Sequence, residues 1–122
     1  MKRFGITRGV SPRESLVQAG ETAKEIEDLG FDMLWFVDHQ LGMKDVYAAM
    51  NMAALATKRI EIGSAVTNLQ TRHPTVTANA TTALDELSNG RAIVGLGAGW
   101  VAVHSIGLMP NKASETRDGI NL

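Results

Sequence analysis

Apolar and polar positions along this chain repeat in one order: a short apolar run, then a stripe at helical spacing. Arg3-Phe4-Gly5-Ile6-Thr7-Arg8 predicts a first strand. Met33-Leu34-Trp35-Phe36-Val37, entered from Gly30, predicts a second over residues 32–37, buried on both faces as in helix-covered parallel sheets. Arg59 to Val66 and Arg91 to Leu96 predict a third and a fourth. Between them lie three helical stripes. The first, Leu16, Ala19, Ala23 and Ile26, follows Ser11-Pro12-Arg13-Glu14, which reads as a capping box with proline in the first turn. Gly30 supplies its positive-φ terminator. The second starts near Asp45 and runs Val46, Met50, Ala53, Ala54. The third starts at Pro74, runs Val76, Ala80, Ala83, Leu84, Leu87, and ends at Asn89-Gly90. Ser114 to Leu122 predicts a last helix.

With Phe4, Met33, Ile62 and Val94 as strand centres, the repeat is roughly 30 residues, the size of one strand-plus-crossover unit. The fold class is therefore α/β with a parallel sheet. Two architectures compete. A (β/α)8 barrel needs eight units and typically about 250 residues, so this chain would be its N-terminal half, strands one to four. A doubly wound open sheet closes with fewer strands, and length alone favours it. Either way residues 1–122 make a single domain, a partial one in the barrel case.

Composition narrows the partners. Twelve basic against thirteen acidic residues leave the 122-residue chain nearly neutral, which points to neither nucleic acid nor a membrane surface. There is no cysteine, so disulfides and thiolate metal sites are excluded and a reducing, cytoplasmic location fits. The start Met1-Lys2-Arg3-Phe4-Gly5 is basic without the apolar run of a signal peptide. The longest apolar segment, Ala92 to Val103, is broken by three glycines and too short to cross a bilayer.

Each strand leads into a polar group, where α/β folds place their chemistry. Asp38-His39 follows the second strand. Histidine titrates nearest neutrality, and an adjacent carboxylate can tune it, which makes the pair an acid–base candidate. The plainer alternative has Asp38 capping a loop and His39 half exposed. Thr67-Asn68-Leu69-Gln70-Thr71-Arg72-His73 follows the third strand and enters a helix N-terminus. It offers hydroxyl, amide, guanidinium and imidazole groups to an anion or a heteroaromatic edge. Alternatively Thr71 or His73 merely caps that helix. His39, His73 and His104 are too scattered for a zinc site. Gly95-Leu96-Gly97-Ala98-Gly99-Trp100 follows the fourth strand. Gly97-x-Gly99-x-x-Ala102 satisfies a relaxed dinucleotide fingerprint, with Glu115 or Asp118 as ribose acid. It comes after the fourth strand with no clean helix start behind it. Small residues that let a flat ring approach the backbone are the better reading.

Phe36-Val37-Asp38-His39, Gly63-Ser64-Ala65-Val66-Thr67-Asn68, Thr71-Arg72-His73-Pro74, Leu84-Asp85-Glu86-Leu87-Ser88-Asn89-Gly90-Arg91 and Gly95-Leu96-Gly97-Ala98-Gly99, in this order and spacing, together resemble the bacterial luciferase-like superfamily. The nearest branch is the deazaflavin-dependent reductases, typified by methylenetetrahydromethanopterin reductase. The resemblance implies a (β/α)8 barrel with a coenzyme F420 ring, or alternatively FMN, at the carboxyl ends of the strands. It implies hydride transfer to a small-molecule substrate, with Asp38 and His39 beside the reacting centre. A non-prolyl cis peptide would fall at or next to Ala65-Val66, and Thr67, Asn68, Ala98 and Gly99 would hold the ring's polar edge and floor.

Two departures qualify what it implies. Members of that branch commonly have an acid after the glycine matching Gly99, and here it is Trp100. The chain also carries only four of the eight units. If it acts alone, its open sheet edges predict a homodimer or higher oligomer, a non-catalytic self-associating half-barrel being the rival to the enzyme. A small doubly wound nucleotide binder is a third reading.

Overall fold

The computed structural model describes residues 2–121; Met1 and Leu122, the outer ends of the basic start and of the last predicted helix, lie outside them. The elements are β1 (Gly5–Arg8), α1 (Leu16–Asp28), β2 (Met33–Phe36), α2 (Val46–Ala56), β3 (Glu61–Ser64), α3 (Pro74–Ser88), β4 (Ala92–Ile93), α4 (Trp100–Ser105) and α5 (Ala113–Ile120). The four strands are parallel and lie in the order β1-β2-β3-β4. Each crossover thus steps to the next position and the order never reverses. A doubly wound sheet reverses, and its ligand crevice sits at that reversal. The observed order is that of successive staves in a barrel, so the sheet is part of a (β/α)8 architecture and the doubly wound reading falls.

The pleat sends alternate residues to opposite faces. Leu34, Phe36 and Ile62 point into a core shared with Ala19, Ala23, Ile26, Val46, Met50, Ala53 and Leu84 of the helices. Burying side chains of this size is worth about 1.5–3 kcal/mol each, which makes this the main source of cohesion. On the opposite face lie Gly5, Met33, Trp35 and Gly63. A Cβ on Gly5 would sit 2.9 Å from the Trp35 indole nitrogen, and one on Gly63 2.7 Å from its ring, so the two glycines clear room for the indole.

The predicted helices are present with three corrections. The capping box of α1 is formed by Ser15 and Gln18, not by Ser11 and Glu14. Glu14 pairs instead with Arg8 of β1, and Ser11 closes a turn through its carbonyl to Glu14 N–H at 3.0 Å. The stripe of α3 is also displaced. Thr77, Leu84 and Ser88 are buried, whereas Val76, Ala83 and Leu87 are exposed, because α3 packs mainly on α2 and β4. Finally, β4 is shorter than Arg91–Leu96. A Cβ on Gly95 would lie 2.1 Å from Ser64 O, and the Ser64 hydroxyl occupies Gly95 N and O at 3.2 and 3.0 Å. Side-chain bonds replace the ladder there, and pairing resumes only at the Thr67–Leu96 bridge. The expected terminators hold: Gly30 has φ 93°, and Asn89-Gly90 have φ 55° and 79°.

Glu27 ties the other end of the sheet. Its Oε1 accepts the backbone N–H groups of Lys58, Arg59 and Ile60 at 2.9, 2.6 and 2.9 Å, fixing the entry to β3. Burial pushes this carboxyl up, but the three N–H donors outweigh it and hold the pKa below the ordinary 4.5. A depressed carboxyl stabilises the fold above its unfolded pKa, and that contribution vanishes as pH falls through the folded value. Glu27→Gln should therefore lower stability by about 1–2 kcal/mol at pH 7. In urea titrations the gap to wild type should shrink as pH falls below 4.5; a gap independent of pH would rule out the carboxylate as its source.

Candidate active site

The polar groups following β2, β3 and β4 meet at one end of the sheet. Asp38 is 6% exposed; its Oδ2 accepts the Thr67 hydroxyl at 2.7 Å and its Oδ1 the Gln40 amide at 2.8 Å. Thr67, fully buried, links onward to the fourth strand's end. Its N–H donates to Gly95 O and its carbonyl accepts from Gly97 N–H, both at 2.9 Å. Asn68 is 1% exposed; its Oδ1 accepts from Gln70 N and from Thr71 N and Oγ1 at 2.9–3.1 Å. Its amide nitrogen Nδ2 is buried without a partner.

The glycine shelf lies directly against these residues. A Cβ on Gly99 would be 2.8 Å from Asn68 Nδ2, and Gly99 takes φ 71°, so both space and backbone require glycine. A Cβ on Gly97 would be 2.7 Å from Val66 Cγ2. Val66 is exposed, Ala65 and Ala98 are half-buried, and the Ala65–Val66 peptide bond is cis. An apolar side chain, a bare backbone shelf and an unpartnered amide thus border one another.

His39 stands beside this network. Its Nδ1 accepts Gly42 N–H at 3.0 Å, so in the neutral ring the proton sits on Nε2. Gly42 is close enough that a Cβ there would be 3.1 Å from Nδ1. Neighbouring Asp45 caps α2 through Ala48 N–H at 2.8 Å and pairs with Arg72, whose guanidinium lies 4.7 Å from the Tyr47 ring centroid. Burial pushes the Asp45 carboxyl up, but the Ala48 N–H and Arg72 together hold it below the ordinary carboxylate value.

Other candidates serve the framework. His73 caps α3, its ring accepting from Thr75 N–H at 3.3 Å, with Pro74 in the first turn. Glu115 accepts Lys112 N–H at 2.7 Å at the start of α5, and Asp118 faces Arg117 in solvent, so neither is a ribose acid. Trp100 opens α4, a six-residue helix that sequence periodicity did not predict. It is 67% exposed and meets His104 edge to face at 5.0 Å. Sequence reading missed Gln40 and Ser64 as supports. The glycine opposite Ser64 was the available signal, since a serine facing a strand glycine can replace a ladder bond.

A parallel sheet with sequential strand order, carrying its polar groups at the carboxyl ends, defines a part of a (β/α)8 protein with a site at that end. The luciferase-like monooxygenase family model matches residues 3–118, and the chain belongs to this family. It is 40% identical over 88 residues to 5,10-methylenetetrahydromethanopterin reductase of Methanolobus tindarius, a match covering 72% of this chain and 27% of that protein. Among solved structures it is similar to the coenzyme F420-dependent tetrahydromethanopterin reductase of Methanopyrus kandleri. That similarity has TM-score 0.78 and 34% identity over 87% of this chain and 30% of that one. The oxygenating constituent of 3,6-diketocamphane monooxygenase from Pseudomonas putida, solved with FMN, has TM-score 0.80 at 21% identity and supports the fold alone. The chain thus spans less than a third of the reductases it matches.

Proposed function

We propose that this chain forms the cofactor-facing first four strand-helix units of a luciferase-like oxidoreductase transferring hydride between a reduced deazaflavin and an electron-poor carbon of a small substrate. Coenzyme F420 is the favoured cofactor and FMN the alternative, because relatives at 40% and 42% identity are named methylenetetrahydromethanopterin reductase and a solved reductase of that kind, 34% identical, is named as F420-dependent. The observation that carries the reading is the buried, unpartnered Asn68 Nδ2 beside the Gly97–Gly99 shelf. The residues that would hold a flat ring there are Ala65 and Val66 at the end of β3 and Ala98 and Gly99 at the end of β4, with the Asn68 amide buried behind Gly99. Thr67 acts through Asp38, since its hydroxyl is engaged there. When bound, the cofactor supplies the hydride, and the protein supplies alignment and proton handling. Asp38 is fixed by two donors, and His39, its Nδ1 held by Gly42 N–H, would offer Nε2–H as the proton donor.

Titrating the purified chain with F420, FMN and NADH tests this reading. Saturable binding of F420 or FMN, weakened by Asn68→Leu, is expected. Binding of NADH alone, or of none, would overturn it. A cytosolic setting suits a chain without cysteine.

The half-barrel also favours self-association. Edge strand β1 exposes Ile6 beside Phe4 at 62%, and Val94 after β4 is 39% exposed. Unpaired parallel edges with apolar side chains invite strand pairing. Two copies, each β4 against the partner's β1, would pair both edges at once. Light scattering at micromolar concentration should report a dimer or larger; a strict monomer refutes the pairing.

A further inference from the structure

A small pocket of about 160 Å³ opens beside the end of β2, bordered by His39, Lys44 and Arg72 together with Asp38 and Asp45. Its hydrogen-bonding groups are unbalanced. Every carboxylate oxygen around it is already engaged: Asp38 by Gln40 and Thr67, Asp45 by Ala48 N–H and Arg72. The donors are not. Among the described residues the ammonium of half-buried Lys44 has neither a hydrogen-bond nor an ion-pair partner in the chain, and Arg72 engages only Nη2. His39 Nδ1 is taken by Gly42, which leaves Nε2–H free. Lys44 and Asp38 are the charges of the pocket without an ion-pair partner, Asp38 being held by the neutral Gln40 and Thr67, and Arg72 Nε is buried without a partner. A site whose carboxylate oxygens each already hold a donor, while Lys44, Arg72 Nε and His39 Nε2–H do not hold an acceptor, favours an oxyanion.

We propose that this pocket receives a carboxylate or phosphate group of the substrate, anchored by Lys44 and Arg72 with His39 Nε2–H beside it. The volume lies well below the roughly 300–1,000 Å³ of pockets that enclose a drug-sized ligand, which leaves room for the oxyanion and a short stem and not for a ring cofactor. Such an anchor fixes the substrate at one end and sets which of its carbons faces the glycine shelf. The inference rests on the reading that Asp38 and His39 border the hydride-transfer centre.

The test is direct binding, without turnover. Backbone amide resonances of Gly42 and Lys44 are followed by NMR while acetate, inorganic phosphate or neutral acetamide is added at constant ionic strength. Saturable shifts are expected with acetate or phosphate and not with acetamide, and the stronger of the two identifies the oxyanion. Lys44→Met should weaken that affinity about ten-fold. Arg72→Lys, which keeps the charge, should weaken it less, and Lys24→Met on α1 should leave it unchanged. Equal shifts with acetamide, or an affinity indifferent to Lys44→Met in a variant of native circular dichroism, overturn the proposal. Oxyanion binding without F420 or FMN binding would remove the hydride-transfer reading and with it the pocket's assignment to substrate. Cofactor binding without oxyanion binding would remove the pocket alone.

Discussion

Arg91→Ala is expected to destabilise the chain by about 3–4 kcal/mol, read as a fall in urea midpoint at constant slope. The reason is the number of groups one guanidinium holds together. Its Nε donates to Ser88 O at 2.6 Å, Nη1 to Ile60 O at 2.6 Å and Thr57 Oγ1 at 2.9 Å, and Nη2 to Ala54 O and Thr57 O at 3.1 and 3.0 Å. Those acceptors belong to the last turn of α2, the last turn of α3 and the entry to β3. Carbonyls at a helix end have no partner within the helix and favour a cation. Alanine would strand all of them in a half-buried environment. Burial draws the guanidinium below its ordinary value, and the Glu27 carboxylate opposes that. Arg91→Lys keeps the charge but not the planar fork, so it should recover less than half of the loss. If alanine costs under about 1 kcal/mol, the clip is ornamental and cohesion rests on the apolar core alone.

That residue shows what was legible in the sequence and what was not. Leu84 to Arg91 stood out as one of the segments resembling the family, yet its chemistry is architectural. Asn89 and Gly90 take left-handed backbone conformations, the Ser88 hydroxyl accepts Arg91 N–H at 3.2 Å, and Arg91 closes the corner. The strand and helix succession could be read because buried parallel strands and one-sided helices impose periods on the apolar positions. The barrel order could not be read from periods alone, since a doubly wound sheet writes the same pattern. It was carried by the resemblance and appears directly in the pairing of β1, β2, β3 and β4.

Local misreadings have local causes. Ser11 and Ser15 both precede helical residues, and only the tertiary pairing of Glu14 with Arg8 decides between them. The stripe of α3 was mistaken because Val76 and Leu87 are apolar while the residues that face the core include Thr77 and Ser88. Hydroxyls bonded or packed inside a core defeat a hydropathy pattern. In α4 the start is set by the positive φ of Gly99, which no periodicity announces.

His39→Ala should lower turnover by about 10²-fold or more in any assembly of this chain that catalyses hydride transfer, while leaving cofactor affinity within about three-fold. The split follows from the layout. In the proposed function binding would rest on the Val66 side chain, the Gly97–Gly99 shelf and Asn68, all contributed by the ends of β3 and β4. His39 belongs to the end of β2, where Gly42 N–H occupies Nδ1 and leaves the proton of the neutral ring on Nε2. Its loss removes a proton donor without disturbing the cradle. Asp38→Leu should differ, because Thr67 and Gln40 would lose their acceptor and the link from β2 to β3 would loosen, raising the cofactor Kd as well as lowering kcat. Rates at saturating cofactor, set beside Kd from fluorescence titration, separate the two. A His39→Ala variant with unchanged turnover removes the imidazole from the chemistry. One that loses rate and affinity together makes it a part of the cradle instead.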